Sequence, residues 1–354
     1  MVEKLRWVTF GETDINDVFF DSLKLDYPGF GTWHASKKDK YALTFSDDTG
    51  LHAFMHLKPE NEEIKLTNKI LPKVSRLKIS TLKLDEAIKR QRLGEGFVGV
   101  ALWNWQKSKR EEIYVTIFPK QKTLIDLLIK FGFKNVGNKD NGELVLLRSR
   151  KNIDYSTPYS SFPFVNPRTI KCGLIPVNDI FHDRLFPFSN KISKTHEIEE
   201  STAGNGVTKV YIGTPYTTTH YTRGQLVGVY RIYTGNGPKG NKSAVTSYCT
   251  ITKTKIIKKN GITLNPLEDY LKEAGNKTVF SKEELINIYR NSQNVVMIEM
   301  VYNGFFEQGN NVTYWQLKDN GLFEKHPYNI NYTLDEMKEI LKLGKADVEN
   351  IITD

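Results

Sequence analysis

Cysteine is nearly absent from this chain: 354 residues contain two, Cys172 and Cys249. Two thiols cannot build a disulfide scaffold, and no Cys/His spacing of the metal-ligand kind accompanies them. A cross-linked small domain and a zinc module are therefore not expected, and no metal is assigned. No stretch approaches the ~18 consecutive apolar residues of a membrane-spanning helix. The first ten residues carry Glu3, Lys4 and Arg6 rather than the apolar run of a signal peptide, so the expected setting is cytoplasmic. Internal repeats and low-complexity tracts are also missing, which argues against solenoids and disordered arrays.

What remains is an ordinary globular composition, 39% apolar and 26% charged, with a generous 12% of aromatic residues. The length suits two cores of usual size better than one. The formal charge of +9 is unevenly spread. Residues 1–150 hold 26 Lys and Arg against 20 Asp and Glu, residues 151–260 hold 15 against 6, and residues 261–354 hold 9 against 15. The middle segment is the basic one, which points to a polyanionic partner there unless the charge serves only solubility.

The prolines Pro158, Pro163 and Pro167 mark residues 151–168 as a linker between a first module, 1–150, and a second, 169–354. In the first, alternation predicts strands at 5–10, 41–45, 52–57, 77–84, 113–117 and 143–148. Helices are predicted from Asp14, from near Gly94 and over 122–131. The order is that of an α/β layer.

One turn carries chemistry. Gln91-Arg92-Leu93-Gly94-Glu95-Gly96 lies between a strand and a helix. Glycines there let backbone N–H groups approach an anion, and the helix directs its positive end at the same place. This Q-x-x-G-x-G turn, in this order of elements, resembles the pyrophosphate-binding motif of the GNAT acetyltransferase family. Leu127-Leu128-Ile129-Lys130-Phe131-Gly132-Phe133 is similar to that family's F-Y-x-K-x-G-F segment. The resemblance covers 1–150 and implies a mixed sheet with helices on both faces, and acetyl-CoA, or another acyl-CoA, as co-substrate. Leu82, Leu84, Gln91, Arg92, Leu93, Gly94, Glu95 and Gly96 would be its binding residues. It also exposes a departure, because Leu128 stands where many relatives carry a tyrosine acid.

A transferase needs a base for the acceptor amine. Glu86, at the end of the central strand, is the first candidate, followed by His52 and His56 on one strand face. A solvated loop charge and structural histidines are the competing explanations.

The second module reads as short strands with frequent turns, at 209–212, 225–233, 244–251, 295–300 and 312–317. Ser281/Glu284 and Thr333/Glu336 have the spacing of helix capping boxes. Ile175-Pro176 through Pro187, Tyr221-Thr222-Arg223-Gly224-Gln225-Leu226 and Ala244-Val245-Thr246-Ser247 resemble the PUA/ASCH-like group. That resemblance implies a mostly-β barrel with helical additions and RNA or a modified nucleoside as partner. Arg184, Lys209, Arg223 and Arg231 are then the candidate phosphate contacts, and Tyr216, Tyr221, Tyr230 and Tyr233 candidate stacking rings, half of which a barrel would turn inward. The whole reads as an acyl-CoA-dependent N-acetyltransferase directed to RNA. The alternatives are a degenerate member that only binds, or a protein-directed acetyltransferase.

Overall fold

The computed structural model describes residues 4–85, 91–189, 202–216 and 219–353. The chain divides into two compact units, Met1–Ile153 and Asp154–Asp354, both of mixed α/β character. Among the described residues no helix is long and apolar enough to cross a membrane.

The first unit runs β1 (Lys4–Thr9), α1 (Asp21–Asp26), α2 (Phe30–Ala35), β2 (Tyr41–Asp47), β3 (Gly50–Glu60), a two-strand ribbon β4 (Ile64–Lys65) and β5 (Ile70–Leu71), β6 (Arg76–Leu84), α3 (Leu93–Ser108), β7 (Glu112–Ile117), α4 (Lys122–Lys130), β8 (Lys134–Asn138) and β9 (Leu144–Ser149). Seven strands form one sheet in the order β1-β2-β3-β6-β7-β9-β8. Every neighbouring pair is antiparallel except β6 with β7.

Alternation sorts the side chains of this sheet onto two faces. On the back, Leu84 meets Gly94 of α3, and Arg148 lies over Trp105 of the same helix. Leu93, Phe97, Val98, Val100, Ala101, Leu102 and Trp105 are all buried, so α3 is enclosed nearly all round. On the front, Phe54 of β3 joins Phe10, Phe19, Phe20 and Phe30 in an aromatic cluster under α1 and α2. Beside it Tyr114 of β7 and Val145 of β9 pack with Ile64 and Leu66 of the ribbon region.

The helix expected from Asp14 does not form there. The carboxylates of Asp14 and Asp17 instead accept the N–H groups of Asn16 (2.9 Å) and Phe19 (2.8 Å), local bonds that compete with a helical ladder. The edge strand β8, with the polar sequence Lys-Asn-Val-Gly-Asn, gives no alternating signal and was not expected.

The second unit contains α5 (Pro158–Ser161), β10 (Cys172–Asn178), α6 (Asp179–Leu185), α7 (Thr202–Asn205), β11 (Thr208–Gly213), β12 (Leu226–Ile232), β13 (Ala244–Lys259), β14 (Ile262–Thr263), α8 (Leu267–Ala274), α9 (Lys282–Asn291), β15 (Val295–Phe305), β16 (Val312–Thr313), α10 (Tyr314–Asp319), β17 (Asn331–Tyr332), α11 (Leu334–Leu343) and α12 (Val348–Ile351). The proline-rich stretch expected as a linker folds into this unit. Phe162, Phe164 and Val165 are buried, and Val165 bridges to Ile352.

The strand path is β11-β15-β13-β12-β10-β17, with β14 and β16 added along β13. β10 and β12 are parallel; the other pairs are antiparallel. The two ends of the path do not join, so among the described residues the sheet is open rather than the closed barrel expected. β13 has 16 residues, and its pairing with β15 shifts register at three places, a strand bent by bulges. Its first half supplies Val245 and Tyr248 to one hydrophobic core, and its second half supplies Ile257 to another. Residues 312–317 were expected as a strand. Only two are extended, because Thr313 and Gln316 exchange capping bonds and start α10. Ser281 with Glu284, and Thr333 with Glu336, cap α9 and α11 as their spacing foretold.

Candidate functional site

β6 and β7 separate along their length. They pair only from Arg76 with Glu112 to Ile79 with Val115, yet β6 continues to Leu84, still paired to β3, and β7 to Ile117, still paired to β9. The sheet is therefore forked, and among the described residues the edge of β6 beyond Ile79 has no strand partner on that side. Ser80 marks the vertex. β3 pairs His56 with Thr81 and Leu57 with Ile79, leaving Ser80 bulged between them. Its hydroxyl oxygen is buried and has no hydrogen-bond partner among the described residues, an unmet polar group that a ligand in the fork would satisfy.

The first turn of α3 faces the end of β6. A Cβ on Gly94 would stand 3.1 Å from Leu84 Cδ1 and 3.7 Å from Leu127 Cδ2, so glycine is what permits this approach. Arg92 precedes the helix with φ 60°, and Gly96 N–H is bonded to the Arg92 carbonyl at 3.2 Å. The N–H groups of Leu93 and Gly94 come before the helical ladder and have no intrahelical acceptor. Arg92 pairs with Glu95 at 2.7 Å, which balances the acid placed in this turn. An open strand edge leading to a helix start opened by glycine fits an extended ligand with amide-like groups along its arm and phosphates at its end.

The front of the fork is crossed by residues 19–27. Lys83 of β6 donates to the Phe19 carbonyl and lies 4.6 Å from the Phe19 ring centre. On the far side Lys120 pairs with Asp26 at 2.7 Å, the Tyr27 ring lies tilted against Phe118 at 5.6 Å, and the Tyr27 hydroxyl donates to Glu143 at 2.8 Å. These contacts join residues too remote in sequence for spacing to reveal them.

The proposed bases fall into different settings. Glu86 lies outside the described residues. His52 is held between Asp47 (2.8 Å) and Asp85 (3.2 Å), with Thr49 at 2.9 Å. Burial lowers its proton affinity, but the two carboxylates outweigh that and leave a net upward shift. It is thus a fastener of the β2–β3 turn to the end of β6. His56 is bonded to the Tyr41 carbonyl at 3.0 Å and packs edge-on against Phe10 at 5.0 Å; burial lowers its proton affinity. His52 is thus bonded through both ring nitrogens and His56 through Nδ1. Leu128 is fully buried and has no proton to give. Tyr114 donates to Glu60, and burial together with that bond raises its proton affinity well above the usual phenol range.

In the second unit the structure corrects most of the expected polyanion contacts. Lys209 is buried, and its Nζ caps the carbonyls of Ala203 (2.9 Å) and Gly204 (3.0 Å). Arg231 is buried in a two-pronged pair with Asp183, both bonds 2.8 Å. The Tyr221 hydroxyl donates to the Leu174 carbonyl at 2.5 Å from a buried ring, and Tyr230 and Tyr233 are buried as well. Arg184 is half-buried and donates to the Val279 carbonyl at 3.0 Å. Arg223 and Tyr216 are exposed. Arg223 lies on a depression of about 610 Å³ that is also lined by Tyr159, Thr254 and Glu299.

No protein-family model matches the chain, and no curated protein matches it. Among solved structures, 42% of the chain, at its N-terminal end, is similar to 99% of the PaiA N-acetyltransferase from Thermoplasma acidophilum in complex with coenzyme A, with 18% identity and a TM-score of 0.30. It is similar over 42% to 98% of Ard1 from Thermoplasma volcanium, with 14% identity and a TM-score of 0.30. Over 41% it is similar to 98% of a chain of the NatC complex bound to Gag peptide and CoA, with 14% identity and a TM-score of 0.29.

Proposed function

We propose that the first unit binds an acyl-CoA in the fork between β6 and β7, and that the protein transfers the acyl group to an amine. The observation that carries this reading is the fork itself, opening onto the glycine turn at the start of α3. The backbone of Gln91 to Gly96 would hold the pyrophosphate at the helix start, with Arg92 screening its charge. The free edge of β6 through Leu82 and Leu84 would bond the amide arm, and the Ser80 hydroxyl would meet the group lodged at the vertex. The bound co-substrate supplies an acyl group activated by its thioester. The chain supplies approximation and alignment, since Leu128 offers no acid and Tyr114 is committed to Glu60. Isothermal titration with acetyl-CoA tests the reading: saturable binding, lost in Gly94→Glu, is the expected result, and no binding by the wild-type chain overturns it.

Leu128 favours one alternative, a protein that holds acyl-CoA without turning it over. Thiol release on an amine panel separates the two, because only the transferase frees CoA.

We further propose RNA as the partner of the second unit. Its support is the charge of residues 151–260, 15 cations against 6 anions, of which Arg168, Lys171, Arg223, Lys239, Lys253 and Lys259 are exposed. Retention on bulk tRNA that falls with salt and is weakened by Arg223→Glu is the expected behaviour; retention indifferent to both counts against it.

A further inference from the structure

Glu143 stands immediately before β9, beside the open end of the fork. Leu144 pairs with Ile117, the last residue of β7, so Glu143 adjoins Phe118. By alternation its side chain shares the front face with Val145 and Leu147, which pack with Tyr114. The residue is 5% exposed. One carboxylate oxygen accepts from Tyr27 (2.8 Å) and the other from the Asn141 amide (2.9 Å). Both donors are neutral. Burial first, then the bond to Glu143, raises the proton affinity of Tyr27, so the phenol keeps its proton.

Among the described residues no lysine, arginine or histidine comes within ion-pair distance of Glu143. Lys78, on the same face two strands away, has Glu60 as its leading charge partner. Glu60 in turn is paired with Lys58 at 3.0 Å. Lys120, next along the chain from β7, is committed to Asp26. Glu60 on the same face thus has an ion-pair partner, whereas Glu143 makes none, although Lys78 lies close enough to feel its charge. A buried carboxylate with one lone pair still open on each oxygen is complementary to a group that brings positive charge and several N–H donors. The adjacent ring of Tyr27, tilted against Phe118, favours the same kind of ligand.

We propose that Glu143, supported by Tyr27 and Asn141, holds a primary alkylammonium group of the acyl acceptor at the front of the fork, while a second, unprotonated amine of the same molecule attacks the thioester and its proton leaves with the CoA thiol. The segment 19–27 that reaches from Lys83 to Tyr27 then forms one wall of the acceptor's entry. This assignment rests on the reading of the fork as an acyl-CoA site, but the amine can be tested without that co-substrate.

Spermidine serves as the probe amine, titrated by calorimetry into the full chain, the E143Q variant and the Y27F variant, first alone and then with acetyl-CoA present. The expected result is saturable binding to wild type, weakened about tenfold or more by E143Q and a few-fold by Y27F, with acetyl-CoA affinity unchanged in both. In turnover the KM for spermidine should rise by the same factor while kcat changes less. Equal spermidine affinity in all three proteins, or none in wild type, overturns the assignment. If E143Q does not fold, Y27F alone decides, since a phenol that does not support Glu143 would leave the affinity unmoved. Loss of acetyl-CoA binding in wild type, with the amine pattern intact, overturns the acyl-CoA reading and leaves the ammonium site standing.

Discussion

Arg231 and Lys209 show at the level of single residues what linear sequence conceals. A cation on a strand in a basic segment looks like a surface group. Its burial is decided by partners that the strand pattern does not show, Asp183, 48 residues away, for Arg231, and the carbonyls of the preceding helix α7 for Lys209. Removing one member of the buried pair leaves the other charge stranded. Arg231→Met should therefore cost the second unit about 3–5 kcal/mol, read from urea unfolding. The same pair sets an acid response. Burial raises the Asp183 carboxyl, but Arg231 and His182 more than reverse this and bring it down to about 2 from 3.8. The folded state thus holds fewer protons than the unfolded chain between these values. This contribution is complete above about pH 4 and is lost as the pH falls toward 2, a loss that Asp183→Asn should remove from the acid-unfolding profile. His52 has the opposite sign. Its folded proton affinity is raised above the ordinary 6.5, so its bridge to Asp47 and Asp85 is complete below that pH and fades as the pH climbs through the folded value. NMR titration of the imidazole should show the upward shift, and Asp47→Asn should reduce it.

At the level of elements, legibility followed how local the determining interaction is. The capping boxes at Ser281 and Thr333 were readable because donor and acceptor lie three residues apart. Thr333→Ala should cost about 1 kcal/mol in thermal or urea unfolding. The glycine turn before α3 was readable for the same reason, but the fork was not, because it depends on where a parallel pairing stops. Asp14 and Thr313 misled in opposite directions, one side chain diverting an expected helix and the other starting one inside an expected strand. Glu143 was not legible because, beside the local Asn141 amide, its partner Tyr27 lies 116 residues away in the turn between α1 and α2. The fork's own test is thermal. Acetyl-CoA at a hundredfold excess over its Kd should stabilise the first unit by about 2.7 kcal/mol. Gly94→Glu should erase the shift, because the new side chain must displace Leu84 and bring a negative charge to the helix start.

For the whole molecule, length pointed to two modules and composition to an uneven charge, while topology is set by strand pairing. A barrel was expected from the spacing of strands, yet spacing alone does not tell whether the last strand reaches the first. The open path in the second unit brings the 16-residue β13 into two hydrophobic cores among the described residues. Neither core can come apart without dragging that shared beam, so the unit should melt as one cooperative block. Amide protons around Tyr248 and around Ile257 should then exchange with a common opening energy, and two separate values would mean the beam can break in the middle.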